Sequence, residues 1–220
     1  MALYIAGLLS MAVGVVLSIK AGLGISPFDS MCYAFSTVCG VELSNMLNIV
    51  FMACIGIQAF ILRHEFQLMN LTQIIWSLVF SYFIELTEWI MEEVIFTSYP
   101  IRLVVLAISI SLIALGIELY TNVGLIPMPS DGLVLCLCHS LGGVPYHKVK
   151  IVFDCTAVCI GVVVAVLTTG QVVGVREGTV LTAIMLGPTT RILRRPALQF
   201  IHAICRGSET SAMISRNCGE

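Results

Sequence analysis

Three aspartates and two lysines stand in or beside runs of the chain that are otherwise apolar. Asp29 and Asp131 fall in two related stretches, "GLGISPFDS" at 22–30 and "GLIPMPSDG" at 124–132. Lys150 and Asp154 open the run "KIVFDCTAVCIGVVVAVL", and Lys20 closes the first apolar run. Acids so placed can hold a cation or an amine, or pass a proton, without a metal or a nucleophile. Lys150 and Asp154 are spaced i,i+4 and can pair on one helix face, although Lys150 can also snorkel to an interface. Asp154 lies four residues inside its run, and an ionisable group at membrane depth is a functional candidate by default.

The two related stretches are helix starts. Ser26 suits the N-cap, Pro27 the first helical position and Asp29 the third, close to a capping box. The second copy keeps Pro129, Ser130 and Asp131 but has Met128 at the cap, so Asp131 is expected to carry more of the capping. Two readings stand side by side: capping alone, and capping plus contact with a solute. A bare helix start attracts an anion; one bearing its own carboxylate suits a cation, an amine or a proton better than phosphate. "GVREGTV" puts Arg176 and Glu177 before the last apolar run and Thr179 at its start. The candidate substrate-binding residues are therefore Lys20, Ser26, Pro27, Asp29, Pro129, Ser130, Asp131, Lys150, Asp154 and Thr179.

No Ser/His/Asp, HExxH or P-loop pattern is present, and the chain is not read as an enzyme. His139 and His147 have no ligand partner at useful spacing. None of the nine cysteines forms a CxxC pair, and most lie in apolar stretches, so they read as packing residues. No cofactor or metal is expected.

The elements that position these residues follow from composition. The chain has 220 residues, 58% hydrophobic and 11% charged, with mean hydropathy +1.01. A soluble domain carries about 25% charged residues, so the solvent that fits this chain is a bilayer. A spanning helix needs about 20 apolar residues, and unpaired backbone is too costly in lipid for anything but helices or a closed barrel. Long runs without alternation exclude the barrel. Candidate spans are 3–19, 46–62, 71–91, 103–120, 151–167 and 179–193. No basic region precedes the first span, which is not read as a cleavable signal. The net charge of −2 gives no basic surface for nucleic acid.

The chain also repeats itself. With an offset of 102, eleven of the forty positions from 12 to 51 are identical, among them Gly14/Gly116, Pro27/Pro129, Asp29/Asp131 and Phe51/Phe153. Apolar matches are cheap in such a chain; glycines, a proline and an aspartate in register are not. Two units follow, 1–98 and 99–206, each running helix, Gly/Pro turn, short helix, helix, helix. The second ends in a short interfacial helix after Pro196, and 207–220 reads as a disordered tail. Gly187-Pro188 is expected to kink the last span.

The short helix, 26–39, covers about 21 Å, less than the ~30 Å hydrocarbon core. If it is re-entrant, each unit crosses three times and the two units are inverted. With the N-terminus inside, Arg63, Lys148, Lys150, Arg191, Arg194 and Arg195 then fall on the cytoplasmic side. If it crosses, eight spans result and most of these move outside, so the positive-inside rule favours six. Glu85, Glu88, Glu92 and Glu93 then lie at the outer end of the third span, a solvated helix end or a cation vestibule. The fold class expected is an all-α polytopic membrane protein: six transmembrane helices as two inverted three-helix repeats, each with a short re-entrant helix. Such architecture is common among transporters. The expected function is a small-solute transporter for an amine, amino acid or cation in the inner membrane, with both termini cytoplasmic. The alternative is a non-transporting regulatory or assembly subunit. Expected partners are the lipid bilayer, a small-molecule substrate and a second copy of the chain.

"GVVLSIKAGLGISPFD", "GLIPMPSDG", "KVKIVFD" and "GVREGTVLTAIMLGPTTRI" together resemble the YczE-like proteins, a bacterial integral-membrane family related to the YitT group. The resemblance covers 7 to about 195. It carries an early A-x-LG-x-SP-[FW]-D turn and a late G-x-GT…GP element. It implies Lys20, Gly24, Pro27, Asp29, Asp131, Asp154, Gly178, Thr179, Gly187 and Pro188 as motif residues and a repeated hydrophobic unit, and it assigns no activity. Arg176-Glu177 departs from the family pattern, which is small and apolar there.

Overall fold

A computed structural model describes residues 1–63, 71–122, 126–171 and 174–205. Gly124 and Leu125 of the second motif and the expected tail at 207–220 lie outside the described residues. The chain is all-helical: α1 Ala2–Ala21, α2 Pro27–Cys39, α3 Leu43–Leu62, α4 Thr72–Ile90, α5 Tyr99–Asn122, α6 Pro129–Ser140, α7 Tyr146–Thr169 and α8 Glu177–Cys205. Among the described residues, four helices are long and apolar enough to cross a membrane: α1, α3, α5 and α7. The fourth helix of each unit is more polar. α4 carries Gln73, Glu85 and Glu88, and α8 carries Glu177, Arg191, Arg194 and Arg195. With 13 and 12 residues, α2 and α6 are about 20 Å long or less.

α8 runs from Glu177 to Cys205, through Pro188 and Pro196. A proline removes one backbone donor and one helical bond. Near Pro188 the hydroxyls of Thr189 and Thr190 donate to Met185 O and Gly187 O, both at 2.7 Å, adding bonds within the turn that proline weakens.

The duplication is carried into three dimensions. α1–α4 and α5–α8 match element for element at the offset of 102. α1 and α5 pack antiparallel at the centre, and their contacts are reciprocal. A Cβ on Gly14 would meet Ile113 and the Ser109 backbone at 2.6–3.0 Å, and one on Gly116 would meet Met11 and the Gly7 backbone at 2.7–2.9 Å. Shifting either set by 102 residues turns it into the other. Any side chain there would push the helices apart, and small residues are what let membrane helices pack closely. Ser109 Oγ donates to Gly14 O at 2.8 Å and Ser10 Oγ to Leu112 O at 3.0 Å across the same seam. Each such bond is worth about 0.6 kcal/mol.

The remaining helices exchange partners between units. α2 packs on α7 and α6 on α3, while α1 packs on α4 and α5 on α8. The ring of Phe28 stacks between Phe51 of α3 and Phe153 of α7, centroids 5.8 and 5.9 Å away. Those two phenylalanines are a matched pair of the repeat, so Phe28 lies where the halves meet. One departure from symmetry stands out. α3 packs closely on α4, joined by Ser81 Oγ donating to Asn48 at 2.8 Å, whereas α7 and α8 make no comparable contact among the described residues.

Candidate functional site

Asp131, at the start of α6, accepts three hydrogen bonds: from the phenols of Tyr120 at 2.8 Å and Tyr146 at 3.1 Å, and from Lys150 Nζ at 3.3 Å. Lys150 Nζ also lies 3.2 Å from Asp154 Oδ1, an ion pair whose angles fall outside those of a hydrogen bond. The same ammonium sits 5.7 Å from the Phe153 ring centroid. Tyr146, Lys150 and Asp154 follow one another at single-turn spacing on α7, so one helix face delivers all three. Charge-assisted bonds of this kind hold a carboxylate firmly. Asp131 therefore does not cap α6, contrary to the sequence expectation. Its carboxylate is occupied by two phenols and an ammonium, and Met128 supplies no side-chain cap.

Asp29 holds the matching position on α2 and is used differently. Ser26 Oγ accepts from the Asp29 backbone N–H at 3.4 Å and donates to Asp29 Oδ2 at 2.5 Å. This is the expected N-cap, except that the carboxylate turns to the serine hydroxyl and not to backbone N–H. Asp29 is 6% exposed, while the side chains of Lys150, Asp131 and Asp154 keep 29%, 26% and 24% of their exposure. Asp29 still lies within electrostatic reach of all three. Two carboxylates, from α6 and α7, thus flank one ammonium, with the carboxylate of α2 within electrostatic reach. The excess of negative charge there suits a cation.

The structure brings Ser26, Pro27, Asp29, Pro129, Ser130, Asp131, Lys150 and Asp154 into this region, where the units meet. It sets Lys20 and Thr179 apart from it. Lys20 Nζ donates to Glu92 O at 3.1 Å and lines a cleft with Glu42, Glu85 and Glu88. Thr179 is buried in the first turn of α8, its hydroxyl accepting from Arg176 N and donating to Gly174 O, both at 3.3 Å. It packs on Gly24, whose φ of 123° and whose missing Cβ, which would come within 2.6 Å of Thr179 N, both require glycine.

Each Gly/Pro turn is held by the opposite unit. Gly178 N–H donates to Leu23 O at 2.7 Å, fixing the turn before α2 to the start of α8. Tyr4 donates to Ile126 O at 3.0 Å and Gln58 to Pro129 O at 2.9 Å, fixing the turn before α6 to α1 and α3. Gln73 of α4 lies against Gln58 and Gly132. Gln58 and Gln73 were missed from sequence, though two glutamines in apolar runs were visible there. Tyr146 was missed too, despite its spacing of four from Lys150. Tyr120, eleven residues before Asp131, left no local signal.

Residues 1–195 match a family model described as a family of unknown function, DUF6198. The chain is 25% identical over 207 residues to the Bacillus subtilis protein described as uncharacterized membrane protein YczE, covering 92% of this chain and 89% of that one. No solved structure matches. With the family model spanning both units and reaching residue 195 within α8, the chain belongs to the DUF6198 family of YczE-like membrane proteins.

Proposed function

We propose that this protein is a small-solute transporter, selective for amines, amino acids or cations, and not an enzyme. The observation that carries the reading is the partly buried cluster of Asp29, Asp131, Asp154 and Lys150, contributed by both units. Charged groups at such an interface of repeats are the usual place of a transporter's substrate or coupling ion.

The proposed topology is six spans as two inverted repeats, with α2 and α6 re-entrant. Lys20 against Glu92, and Arg102 Nε against Ala21 O at 2.5 Å, gather the ends of α1 and α4 and the start of α5 at one face. Glu42 shares the cleft of Lys20, so α2 comes back to the face that α1 reached, having begun deeper, where Phe28 meets Phe51. α3 and α8 then run away from that face, carrying Arg63, Arg191 and Arg194 to the other. Lys148, at the start of α7, joins them. That basic face is the cytoplasmic one by the positive-inside rule, in the inner membrane of a bacterium, with both termini on it. The apolar window of α7 is only 17% buried, against 50% for α5, which suits contact with lipid or with a second copy.

Two measurements test this. In proteoliposomes, uptake of amines, amino acids and monovalent cations is screened for the wild type and for Asp29→Asn/Asp131→Asn. Uptake unaffected by the double substitution sinks the site, and no uptake of any probe favours the non-transporting subunit. A cysteine engineered at Lys148 should resist membrane-impermeant reagents in intact cells; labelling there would overturn the six-span topology.

A further inference from the structure

Two arginines stand at the end of α1, neither paired with a carboxylate of the described residues. Arg102, near the start of α5, donates through Nε to Ala21 O at 2.5 Å, and Arg176, before α8, donates through Nη1 to Gly22 O at 3.1 Å. A Cβ at Gly22 would lie 2.2 Å from Arg102 Nη2, so the guanidinium is pressed onto the turn. Neither arginine forms an ion pair with a carboxylate of the described residues. A helix C-terminus offers about half a negative charge, well short of two guanidiniums. Each guanidinium has five N–H donors, and each spends one on the turn.

Both arginines line a cleft of about 300 Å³ with Ser18, Tyr33 and Gly174. Ile19 and Tyr33 also line the neighbouring cleft of about 640 Å³, which holds Glu42, Glu85, Glu88 and Glu92. Planar guanidiniums suit two-oxygen anions such as carboxylate and phosphodiester. The acids beyond Tyr33 repel a second negative charge and so disfavour dianions.

We propose that the cleft between Arg102 and Arg176 binds the carboxylate or phosphodiester of a singly charged or zwitterionic molecule, supplied either as a free solute or as a lipid headgroup. Binding here does not depend on transport: a protein that carries nothing would bind the same probes, and failed uptake would leave this site standing.

The test is calorimetric titration of the full chain in detergent with acetate, glycine, sulfate and micelle-dispersed phosphatidylglycerol. The expected result is saturable binding of a monoanion or zwitterion, with sulfate weaker. Arg176→Gln should weaken it roughly tenfold or more, the loss of a charge-assisted contact, with the ligand-free melting temperature retained. Arg176→Lys should restore only part. Each substitution releases one turn carbonyl, Ala21 O for Arg102→Gln and Gly22 O for Arg176→Gln; Arg176 is the more exposed of the two and is the deciding variant. A response to phosphatidylglycerol alone assigns the site to a lipid headgroup, and a response to acetate or glycine alone assigns it to a solute. No binding of any probe, sulfate binding as tightly as the monoanions, or affinity unmoved by Arg176→Gln would overturn the proposal.

Discussion

Asp29 and Asp131 occupy one position of a duplicated unit and live in different chemistry. Asp29 is closed in on Ser26 and sealed from solvent. Asp131 is open on one side and tied to Tyr120, Tyr146 and Lys150. The offset of 102 identifies what sits in place of those partners in the first unit: Ser18, Ser44 and Asn48. None of these reaches Asp29. Ser18 donates to Val15 O at 2.7 Å, Asn48 accepts from Ser81, and Ser44 Oγ is buried without a partner. Three short uncharged residues in one half correspond to two phenols and an ammonium in the other. The backbone device was kept twice and the charge was concentrated once.

The largest way to break this comparison is Lys150→Met. It strands Asp131 and Asp154, and stability should fall by about 2 kcal/mol, less than the 3–5 of a fully buried pair because these side chains keep about a quarter of their exposure. Asn48→Met, its counterpart, should cost less than half of that. Thermal unfolding in detergent compares the two, and equal losses would mean that the halves are not specialised. Next comes Ser26→Ala, expected to cost about 1 kcal/mol through loss of the N-cap. Asp131→Asn leaves the α6 cap untouched, so under the proposed transporter function its effect should appear in uptake and not in helix stability. The smallest effect sharpens the contrast from the other side. Met128→Ser should add a cap to α6 and gain about 0.5 kcal/mol while leaving the bonds of Asp131 in place. If it instead pulls Asp131 away from Tyr120, seen as altered uptake, the two carboxylates are more alike than their surroundings suggest.

Much of this was legible in the sequence because repetition and apolar length are one-dimensional signals. The short helix at 27–39, its cap at Ser26 and the pairing of Lys150 with Asp154 all follow from local spacing. The partners of Asp131 did not, because they depend on which helices meet. Tyr120 comes from the end of α5 and Tyr146 from the start of α7, and only packing joins them. The capping expected of Asp131 failed for the same reason: a local rule lost to a stronger tertiary partner, the ammonium of Lys150. Lys20 and Thr179 matched motif positions yet serve the turn and the acidic cleft, since closeness in a motif says nothing about which face of the molecule a side chain reaches.

The reciprocal seam of α1 and α5 has a further consequence. Its contacts are isologous, in the way that the interface of a two-fold dimer is: Gly14 does for one half what Gly116 does for the other. A surface of this kind recognises itself, so each unit carries its own complement. Covalent joining then frees the chain from the demand for identity that a true homodimer imposes. One substitution can place a lysine in a single half without placing it in both. A single ammonium, Lys150, beside the carboxylates of both units is open to a chain that carries both units and closed to a symmetric assembly of identical subunits.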